Sequence, residues 1–324
     1  MIDDPVLVND WHPVASVRQL AVHPVQGTRV LGEDIVVWRQ GEQIFVWRDL
    51  CVHRGTRLSL GTIVDGCLSC PYHGWRYDAS GRCAHMPAAP HQAPSAKAAV
   101  KTYLSAVAYG LVWACLGEPR TGPPPFPEWD DADLGKAVCG PYAHLRANGP
   151  RLIENFLDAA HFPFVHAGIL GDPAHAEIGD YATHVTDDGI ESDAVRVYQP
   201  DPYGGSAGEV AYTYHAYRPL TAHFTKRMPL GIFALLLTVT PHDALDSSAW
   251  FLVASSAVLD DAALAADYCP RIARIFEQDR PIVESQRPEA LPMDLQAELH
   301  LRSDRMAIAY RKWLSELGVR LGVA

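Results

Sequence analysis

The chain has 324 residues, which suits two domains of ordinary size, since one domain usually takes roughly 100–200 residues. Hydrophobic residues make up 48% and charged residues 20%, and no apolar run approaches the roughly 20 residues that span a bilayer, which argues against a membrane protein. A net charge of -11 argues against a DNA or RNA partner, because such partners bind clustered Lys and Arg.

The N-terminal sequence MIDDPVLVNDWHPV lacks the basic and apolar regions of a secretion signal, so we expect the protein in the cytoplasm. Thiols stay reduced in that compartment, and seven cysteines are an odd number, so we do not expect a disulfide framework. Metal binding or simple burial is the better interpretation of the cysteines.

The first third of the chain is predicted to be mostly β-structure. DIVVWRQGEQIFVWRD, at 34–49, has two β-branched and aromatic runs on either side of a Gln-Gly-Glu turn, and GLVWACLG, at 110–117, is typical of a buried strand. Three consecutive prolines, Pro123 to Pro125, then favour an extended connector. We therefore predict a first domain, a connector and a second domain at 1–122, 123–137 and 138–324.

The second domain is predicted to begin with a helix and continue as a sheet. RLIENFLDAAH, at 151–161, spaces its apolar residues at helical intervals, and Pro163 should disrupt the following turn, so the helix is expected to end near His161. Positions 192–256 have the alternation and apolar runs of strands.

Two helices are predicted at the C-terminal end. The pattern is helical from Asp260 onward, with Pro270 and Pro281 as expected kinks. A last amphipathic helix is expected to stop at Gly318, because glycine readily takes the conformation that ends a helix.

Two cysteines and two histidines form two arms in CVHRGTRLSLGTIVDGCLSCPYHGW, at 51–75. One arm has Cys51 and His53, and the other has Cys70 and His73. Structural zinc sites usually pair like ligands within an arm. A two-iron, two-sulfide centre with two thiolates on one iron and two imidazoles on the other needs one of each from both arms. A zinc site, or four unrelated buried residues, is the alternative.

The other cysteines have no clear part in this motif. Cys67 and Cys70 make a CxxC pair, but a redox pair would leave both histidines without a role, so we interpret Cys67 as a packing residue. The remaining four have no partner at a motif spacing and are expected to be buried small side chains: Cys83, Cys115, Cys139 and Cys269.

The motif CVHRG…CPYHGW resembles that of the Rieske iron–sulfur proteins. By this resemblance Cys51 and Cys70 would bind one iron of a [2Fe-2S] cluster, and His53 and His73 the other. Imidazole ligation raises the reduction potential, so the cluster would accept an electron from a flavin or a plant-type ferredoxin and pass it on. Trp75, next to the second arm, is a candidate shield for the cluster.

A second group of candidate ligands lies in ENFLDAAHFPFVH, at 154–166. Asp158 and His161 are three residues apart on one predicted helix face, and His166 follows Pro163. Two imidazoles and one carboxylate on one face of an iron leave the opposite face open to dioxygen and substrate, so a carboxylate from elsewhere in the chain is required. The alternative is that the histidines are only hydrogen-bonded interior residues.

A Rieske motif followed by D-x2-H-x4-H resembles the catalytic α subunit of the Rieske non-haem iron oxygenases, over nearly the whole chain. The resemblance implies an α+β fold, in which an all-β Rieske domain precedes a helix-flanked antiparallel-sheet catalytic domain of the helix-grip, START-like type. It also implies that His161, His166 and a carboxylate on a late helix bind a mononuclear Fe(II). We assign the carboxylate to Asp279 in RIFEQDRPIVESQ, with Glu277 and Glu284 as alternatives.

The same resemblance gives two further residues a role. Asp158 would bridge His73 of one subunit and His161 of its neighbour, which implies a ring of subunits, and the small family members form trimers. Asn155 would be a polar group beside the iron; the alternative is that it only stabilises the helix.

The length resembles that of the α-only monooxygenases and demethylases, such as the vanillate and dicamba demethylases. NDWHPVA, FPEWDD, HFPFVHAGILGD and SDR…AYRKWLSELGV resemble the saxitoxin-pathway hydroxylases more closely. The resemblance implies a terminal oxygenase that receives electrons of NADH from a separate flavin and iron–sulfur reductase. With O2 it would hydroxylate a C–H bond of a small aromatic or heterocyclic substrate, or demethylate it.

Three other functions are compatible with the sequence: arene cis-dihydroxylation, electron carriage without oxygenase activity, and a zinc-stabilised binding module. For an oxygenase, the aromatic residues of the predicted sheet are candidate pocket walls, although aromatic residues in a sheet are often core residues: Tyr214, Phe224 and Phe233.

Overall fold

The structure is a computed structural model, which describes residues 2–202, 206–228, 231–256 and 262–324. The chain divides into two compact units, Met1–Pro123 and Pro124–Ala324. Within the described ranges, no helix combines the length and hydropathy that crossing a membrane requires.

The first unit consists mainly of antiparallel strands. Two short helices lie near its start, α1 (Pro5–Val8) and α2 (Val17–Val22). The strands are β1 (His12–Ser16), β2 (Val25–Val30), β3 (Glu33–Gln40), β4 (Gln43–Arg48), β5 (Thr62–Val64), β6 (Cys67–Ser69), β7 (Arg76–Tyr77), β8 (Cys83–His85), β9 (Thr102–Ala108) and β10 (Leu111–Cys115). One sheet has the order β1-β10-β9-β4-β3-β2, and a second has the order β5-β6-β7-β8.

A tryptophan core links the two sheets of the first unit. In the β3–β4 hairpin, the rings of Trp38 and Trp47 lie 4.9 Å apart and are both buried. Tyr77, Cys51 and Cys70 belong to the same buried cluster. Because two of the candidate ligands are part of this core, the loops that carry them are anchored to it.

The second unit is built on one large antiparallel sheet. Its strands are β11 (Gly135–Leu145), β12 (Thr183–Thr186), β13 (Gly189–Ser192), β14 (Val195–Gln199), β15 (Gly208–Arg218), β16 (Thr221–Met228), β17 (Gly231–Pro241) and β18 (Ser247–Ser255). Their order is β11-β18-β17-β16-β15-β13-β12, and β14 pairs with β15. Tyr214 on β15 is opposite Phe224 on β16, which is opposite Leu235 on β17, so one face of the sheet is lined by aromatic and aliphatic side chains.

Helices flank this sheet. They are α3 (Gly149–Leu157), α4 (Phe162–Val165), α5 (Ala262–Ser285) and α6 (Arg305–Leu317), and α5 packs against β11 while α3 packs against β16 and β17. Buried Arg311 on α6 donates two hydrogen bonds, of 2.6 and 3.0 Å, to the carboxylate of Glu154 on α3, which fixes these helices to each other. The predicted α+β fold class, with an all-β first part and a helix-flanked sheet after it, is confirmed.

The C-terminal helices largely follow the sequence pattern. Pro270 and Pro281 both lie inside α5, and Gly318 ends α6 with a φ of 80°. The predicted helix start at Asp260 lies outside the described residues. Single turns of 3-10 helix lie at Leu58–Leu60, Pro127–Trp129, Pro173–His175 and Arg302–Asp304.

The predicted end of the first catalytic helix is wrong. Helix α3 ends at Leu157, and Asp158 is its C-cap in an extended conformation, so Asp158 and His161 do not share a helix face. Pro163 lies in the first turn of α4, rather than ending α3. The physical reason is that proline lacks an N–H, which the first turn of a helix does not need, so it can begin a helix as well as end one.

The expectation that the cysteines are all unpaired is also wrong. Cys139 on β11 and Cys269 on α5 form a disulfide, with Cα atoms 5.2 Å apart. Their separation of 130 residues gives no local motif, so only the packing of the long helix on the sheet edge reveals the pair. Cys83 and Cys115 are free and buried, as expected.

Candidate metal centres

The four candidate cluster ligands lie in two loops with the same backbone hydrogen bonds. In the first loop, the N–H of Cys51 donates to the carbonyl of Thr56 over 2.8 Å. In the second loop, the N–H of Cys70 donates to the carbonyl of Trp75 over 2.8 Å. Each loop is therefore closed by a cysteine and the residue five positions later.

A glycine completes each loop. Gly55 and Gly74 have φ angles of 73° and 68°, a region that side chains disfavour. Their N–H groups donate to the carbonyls of Cys51 and Cys70 over 2.9 and 3.0 Å. Both glycines are thus required by the turn that carries a cysteine and a histidine to the same side of the unit.

The side chains of these loops converge. The rings of His53 and His73 are 4.5 Å apart, and the ring of Trp75 stacks on His53 at 4.5 Å, while Cys51 Sγ lies 3.1 Å from the hydroxyl of buried Tyr77. Nδ1 of His53 is buried and has no hydrogen-bond partner in the described part of the chain. A buried imidazole nitrogen without a partner is costly unless it binds a metal, so the residues fit a cluster with imidazole ligands.

Burial of the loops disfavours the charged forms of the Cys70 thiol and the His53 imidazole. Burial raises the pKa of the Cys70 thiol, and its hydrogen bond with the Cys51 thiol raises this pKa further. Burial lowers the pKa of His53, with a smaller contribution from the neighbouring His73. A positively charged metal reverses the preference of the thiols, so assembly of a cluster releases their protons. Cys67 lies half-buried on β6, and burial raises the pKa of its thiol also.

A second group of ligand atoms converges in the second unit. Nε2 of His161 and Nε2 of His166 are 3.2 Å apart, and Oδ1 of Asp279 lies 3.4 and 3.1 Å from them. His161 precedes α4, His166 follows it, and Asp279 lies on α5. Among the described residues, His161, His166 and Asp279 form a group whose ligand atoms are close enough together to hold one metal ion.

The outer nitrogen of each imidazole is occupied by an acceptor. Nδ1 of His161 lies 3.2 Å from Oδ2 of Asp158, and Nδ1 of His166 lies 2.9 Å from Oε1 of Gln278. These acceptors assign the proton of each ring to Nδ1 and leave the lone pair of Nε2 directed at the shared position. Gln278 was not predicted from the sequence, where its only signal is its position next to Asp279.

The carboxylates of this group favour a positive charge at its centre, which a proton or a metal ion can supply. Burial lowers the pKa of His161, but the hydrogen bonds and charges of Asp158 and Asp279 outweigh it and raise this pKa to about 9. Burial raises the pKa of Asp279, but the hydrogen bonds and charges of both histidines outweigh burial, so the pKa is lowered. Oδ1 of Asp279 is buried without a hydrogen-bond partner among the described residues, so the group fits a divalent metal.

The alternative carboxylates point elsewhere. Glu277 pairs with Arg280 over 2.8 Å at the surface, and Glu284 accepts a hydrogen bond from the backbone N–H of Arg146 over 3.1 Å. Of the three acids considered on this helix, only Asp279 faces the two histidines.

The metal group, formed by His161, His166 and Asp279, opens onto an apolar pocket. Its empty space, including the opening to solvent, is about 880 Å³. Asn155 lines it beside His161 and His166, and Phe224 and Phe233 line it as expected. Tyr214 does not belong to the lining; it is buried beside Phe224, with ring centroids 5.9 Å apart.

A β-unit with paired Cys–His loops, together with a His–His–carboxylate group at an apolar pocket, defines the class of protein as an iron-dependent oxygenase with two metal centres. The family models agree with this class. Residues 10–103 match the Rieske [2Fe-2S] domain, and residues 145–320 match the vanillate O-demethylase oxygenase C-terminal domain. The chain belongs to the Rieske non-haem iron oxygenases, in the group with this vanillate O-demethylase type of catalytic domain.

Relatives at the sequence level include demethylases. Methylxanthine N1-demethylase NdmA of Pseudomonas putida is 34% identical, over 95% of this chain and 88% of the relative. Methylxanthine N3-demethylase NdmB of the same organism is 28% identical, over 98% of this chain and 91% of the relative. The chain is a Rieske oxygenase terminal component related to these enzymes.

Solved structures share the fold. NdmA with caffeine has a TM-score of 0.82 and 28% identity, covering 96% of this chain and 91% of that one. Dicamba monooxygenase bound to dicamba has a TM-score of 0.78 and 21% identity, covering 96% and 97%. At that identity, the second comparison supports the fold alone.

Proposed function

We propose that this chain is the oxygenase of an oxidative demethylase, which removes an O- or N-methyl group from a small aromatic or heterocyclic molecule. The observation that carries the proposal is the convergence of His161, His166 and Asp279 at the apolar pocket, with Nε2, Nε2 and Oδ1 all within 4.8 Å of one another. Three ligands on one side of an iron leave positions for dioxygen next to the space where a ring would bind. The names of NdmA and NdmB, both demethylases, support the same reaction class.

The residues have distinct roles in this proposal. His161, His166 and Asp279 would hold Fe(II), while the cluster would be bound by the first unit's four ligands, Cys51, His53, Cys70 and His73. When bound, the two centres supply the electrons and the activation of dioxygen. Asp158 and Gln278 orient the two imidazoles through their Nδ1 atoms, at 3.2 and 2.9 Å.

The pocket walls have two tasks. Phe156, Phe162, Phe224 and Phe251 line it, so water is excluded and a planar ring is held with its methyl group towards the metal group. One oxygen atom of O2 enters a C–H bond of the methyl group, and the other leaves as water with two electrons and two protons. The hydroxymethyl product then loses formaldehyde, and the demethylated oxygen or nitrogen keeps a hydrogen.

Several finer features stay predictions. Asp158 would bridge His73 of one subunit to His161 of its neighbour in a homotrimer, and Asn155 would contribute a polar group beside the iron. A separate flavin and iron–sulfur reductase would deliver the electrons of NADH. The likeness to the saxitoxin-pathway hydroxylases and the cytoplasmic location stay predictions as well.

The test is demethylation by the iron-loaded protein with NADH and a flavin and iron–sulfur reductase. A panel of methoxyaromatic acids, their amides and N-methyl heterocycles is offered under ¹⁸O₂. We expect one formaldehyde per NADH for the accepted compounds, loss of activity in Asp279→Ala, and retention in the matched surface variant Glu277→Ala.

Other outcomes would contradict the proposal. Two labelled oxygen atoms in one ring product would indicate cis-dihydroxylation. Reduction and reoxidation of the cluster, with no product from any compound and no difference between Asp279→Ala and wild type, would indicate an electron carrier.

A further inference from the structure

The pocket contains a lysine that the proposed reaction does not use. Lys226 lies on β16, two residues after Phe224, so both side chains project from the same face of the sheet. Lys226 is 4% exposed and lines the pocket with Phe224 and Phe233. Its neighbour Arg227, on the opposite face, is exposed.

The ammonium group is held in place by neutral groups. Nζ donates to Oε1 of Gln199 over 3.2 Å and to the carbonyl of Pro202 over 3.0 Å. Gln199 is itself fixed, because its Nε2 donates to the hydroxyl of Tyr212 over 2.5 Å. Nζ also lies 6.0 Å from the ring of Tyr212 and 5.3 Å from that of Phe233. The position of Nζ is therefore set before any ligand binds.

No carboxylate in the described part of the chain forms an ion pair with Lys226. The charged groups that act on it are Arg271 on α5 and Asp201 after β14, and these two pair with each other over 2.8 Å. An ammonium has three N–H donors. In the described part of the chain Nζ has two hydrogen-bond acceptors, and both are neutral. A buried cation of this kind is unfavourable until an anion joins it.

The protonation of Lys226 reflects this cost. Burial lowers its pKa to about 7, with a smaller effect of Arg271 in the same direction and of Asp201 in the opposite one. The titratable Tyr212 on β15 also faces it. The amine is therefore largely neutral at pH 8 until an anion binds, and the bound anion restores its proton.

The lysine and the metal group belong to one continuous pocket. The ring of Phe162 is 5.9 Å from His166 and 5.7 Å from Tyr212, and Tyr212 is in turn next to Lys226. A planar ligand that lies along this aromatic wall would contact the metal group and Nζ with different parts of the same molecule.

We propose that Lys226 is a specificity-determining residue, and that the pocket takes a small aromatic acid whose carboxylate pairs with Nζ while its methyl group faces His161, His166 and Asp279. The inference rests on the proposed function for the identity of the reacting methyl group. A neutral heterocycle, such as the caffeine bound to the related NdmA, would leave the buried lysine without a counter-charge. Recognition of a ligand carboxylate by Lys226 is thus the feature by which this pocket would differ from that of a methylxanthine demethylase.

The test is equilibrium binding, which needs no turnover. The iron-loaded protein is titrated by calorimetry under nitrogen with ortho-, meta- and para-methoxybenzoates, the three corresponding methoxybenzamides and caffeine. We expect at least one benzoate to bind about 10- to 100-fold more tightly than its amide, because a hydrogen-bonded charge pair replaces a neutral contact. Lys226→Met should reduce that ratio to about one, while the control Arg227→Met should keep it.

Proton uptake provides a second reading on the unchanged protein. At pH 8, binding of the preferred benzoate should take up close to one proton, seen as a binding enthalpy that depends on the ionisation enthalpy of the buffer. The amide should take up none, and neither should the benzoate with Lys226→Met. This signature is not expected of a lysine that only stabilises the sheet.

The inference is overturned if no benzoate binds wild type more tightly than its amide, if caffeine binds more tightly than every benzoate, or if Lys226→Met keeps the preference. These outcomes are distinct from failure of the proposed function, in which benzoates bind through Lys226 but no formaldehyde forms.

Discussion

The two metal-binding regions of this chain are built in different ways. In the first unit, each loop that carries a cysteine and a histidine is closed by its own backbone hydrogen bonds and by a glycine with positive φ. In the second unit, the group at the pocket joins residues around α4 to α5, and Gln278 is 112 residues from the His166 that it orients. The first site depends on local turns, while the second depends on the packing of a helix on a sheet.

The largest expected effect separates two cysteines of the local site. Cys70→Ser should abolish the cluster, because it removes a proposed ligand, whereas Cys67→Ser should retain it, because Cys67 is a half-buried strand residue. The measurement is acid-labile sulfide with the visible spectrum. Equal loss of sulfide in both variants would contradict the assignment, and iron at the second site should be unaffected in either.

The next effect concerns the disulfide that fixes α5 to β11. Cys269→Ser should lower the free energy of unfolding of the second unit by roughly 2–4 kcal/mol, because a link across 130 residues is lost. Denaturant unfolding measures it, with the cluster absorbance as a report on the first unit. Dithiothreitol should lower the free energy of unfolding of wild type to the same extent and leave that of the variant unchanged. A variant as stable as oxidised wild type would contradict the prediction.

A smaller effect is expected at the acceptor of His166. Gln278→Leu should weaken Fe(II) binding at the second site by about 10- to 100-fold, because the imidazole loses the partner that fixes its tautomer and orientation. Gln278→Glu keeps a side-chain oxygen and should bind iron nearly as well as wild type. Anaerobic titration of protein stripped of the mononuclear iron measures both affinities. If the Leu variant binds like wild type, Gln278 has no orienting role.

The last expected effect is a dependence of iron binding on pH. The pKa of His161 is raised to about 9 in the metal-free group, so the imidazole is protonated below pH 9 and must lose a proton before it binds a metal. The affinity for Fe(II) should therefore rise about tenfold per pH unit between roughly pH 7 and 9, and level off above. Titrations across this range measure the slope, and a flat profile would contradict the raised pKa.

The difference between the two regions also explains what the sequence could predict. The arms with Cys51 and His53 and with Cys70 and His73 are short motifs, so spacing alone indicated which residues converge. The fold class and Asp279 came from the family resemblance together with the pattern of strands and helices. The end of α3 was predicted wrongly, because Pro163 can stop a helix or begin one, and only the packing around His161 decides which.

The missed residues share a physical cause. Gln278, the Cys139–Cys269 pair and Lys226 each acquire a role through contacts with distant parts of the chain. None belongs to a local pattern, and a glutamine, a cysteine or a lysine in a helix or strand is ordinarily unremarkable. Their roles follow from how α5 and β16 pack against the rest of the second unit, which depends on the tertiary fold.

The presence of two separate metal centres is tested by counting irons and acid-labile sulfides per chain, on anaerobically purified wild type and His161→Ala. The account predicts three irons and two sulfides in wild type, and two irons and two sulfides in the variant, with the cluster spectrum unchanged. Two irons in both proteins would contradict the account, because the group of His161, His166 and Asp279 would then hold no iron.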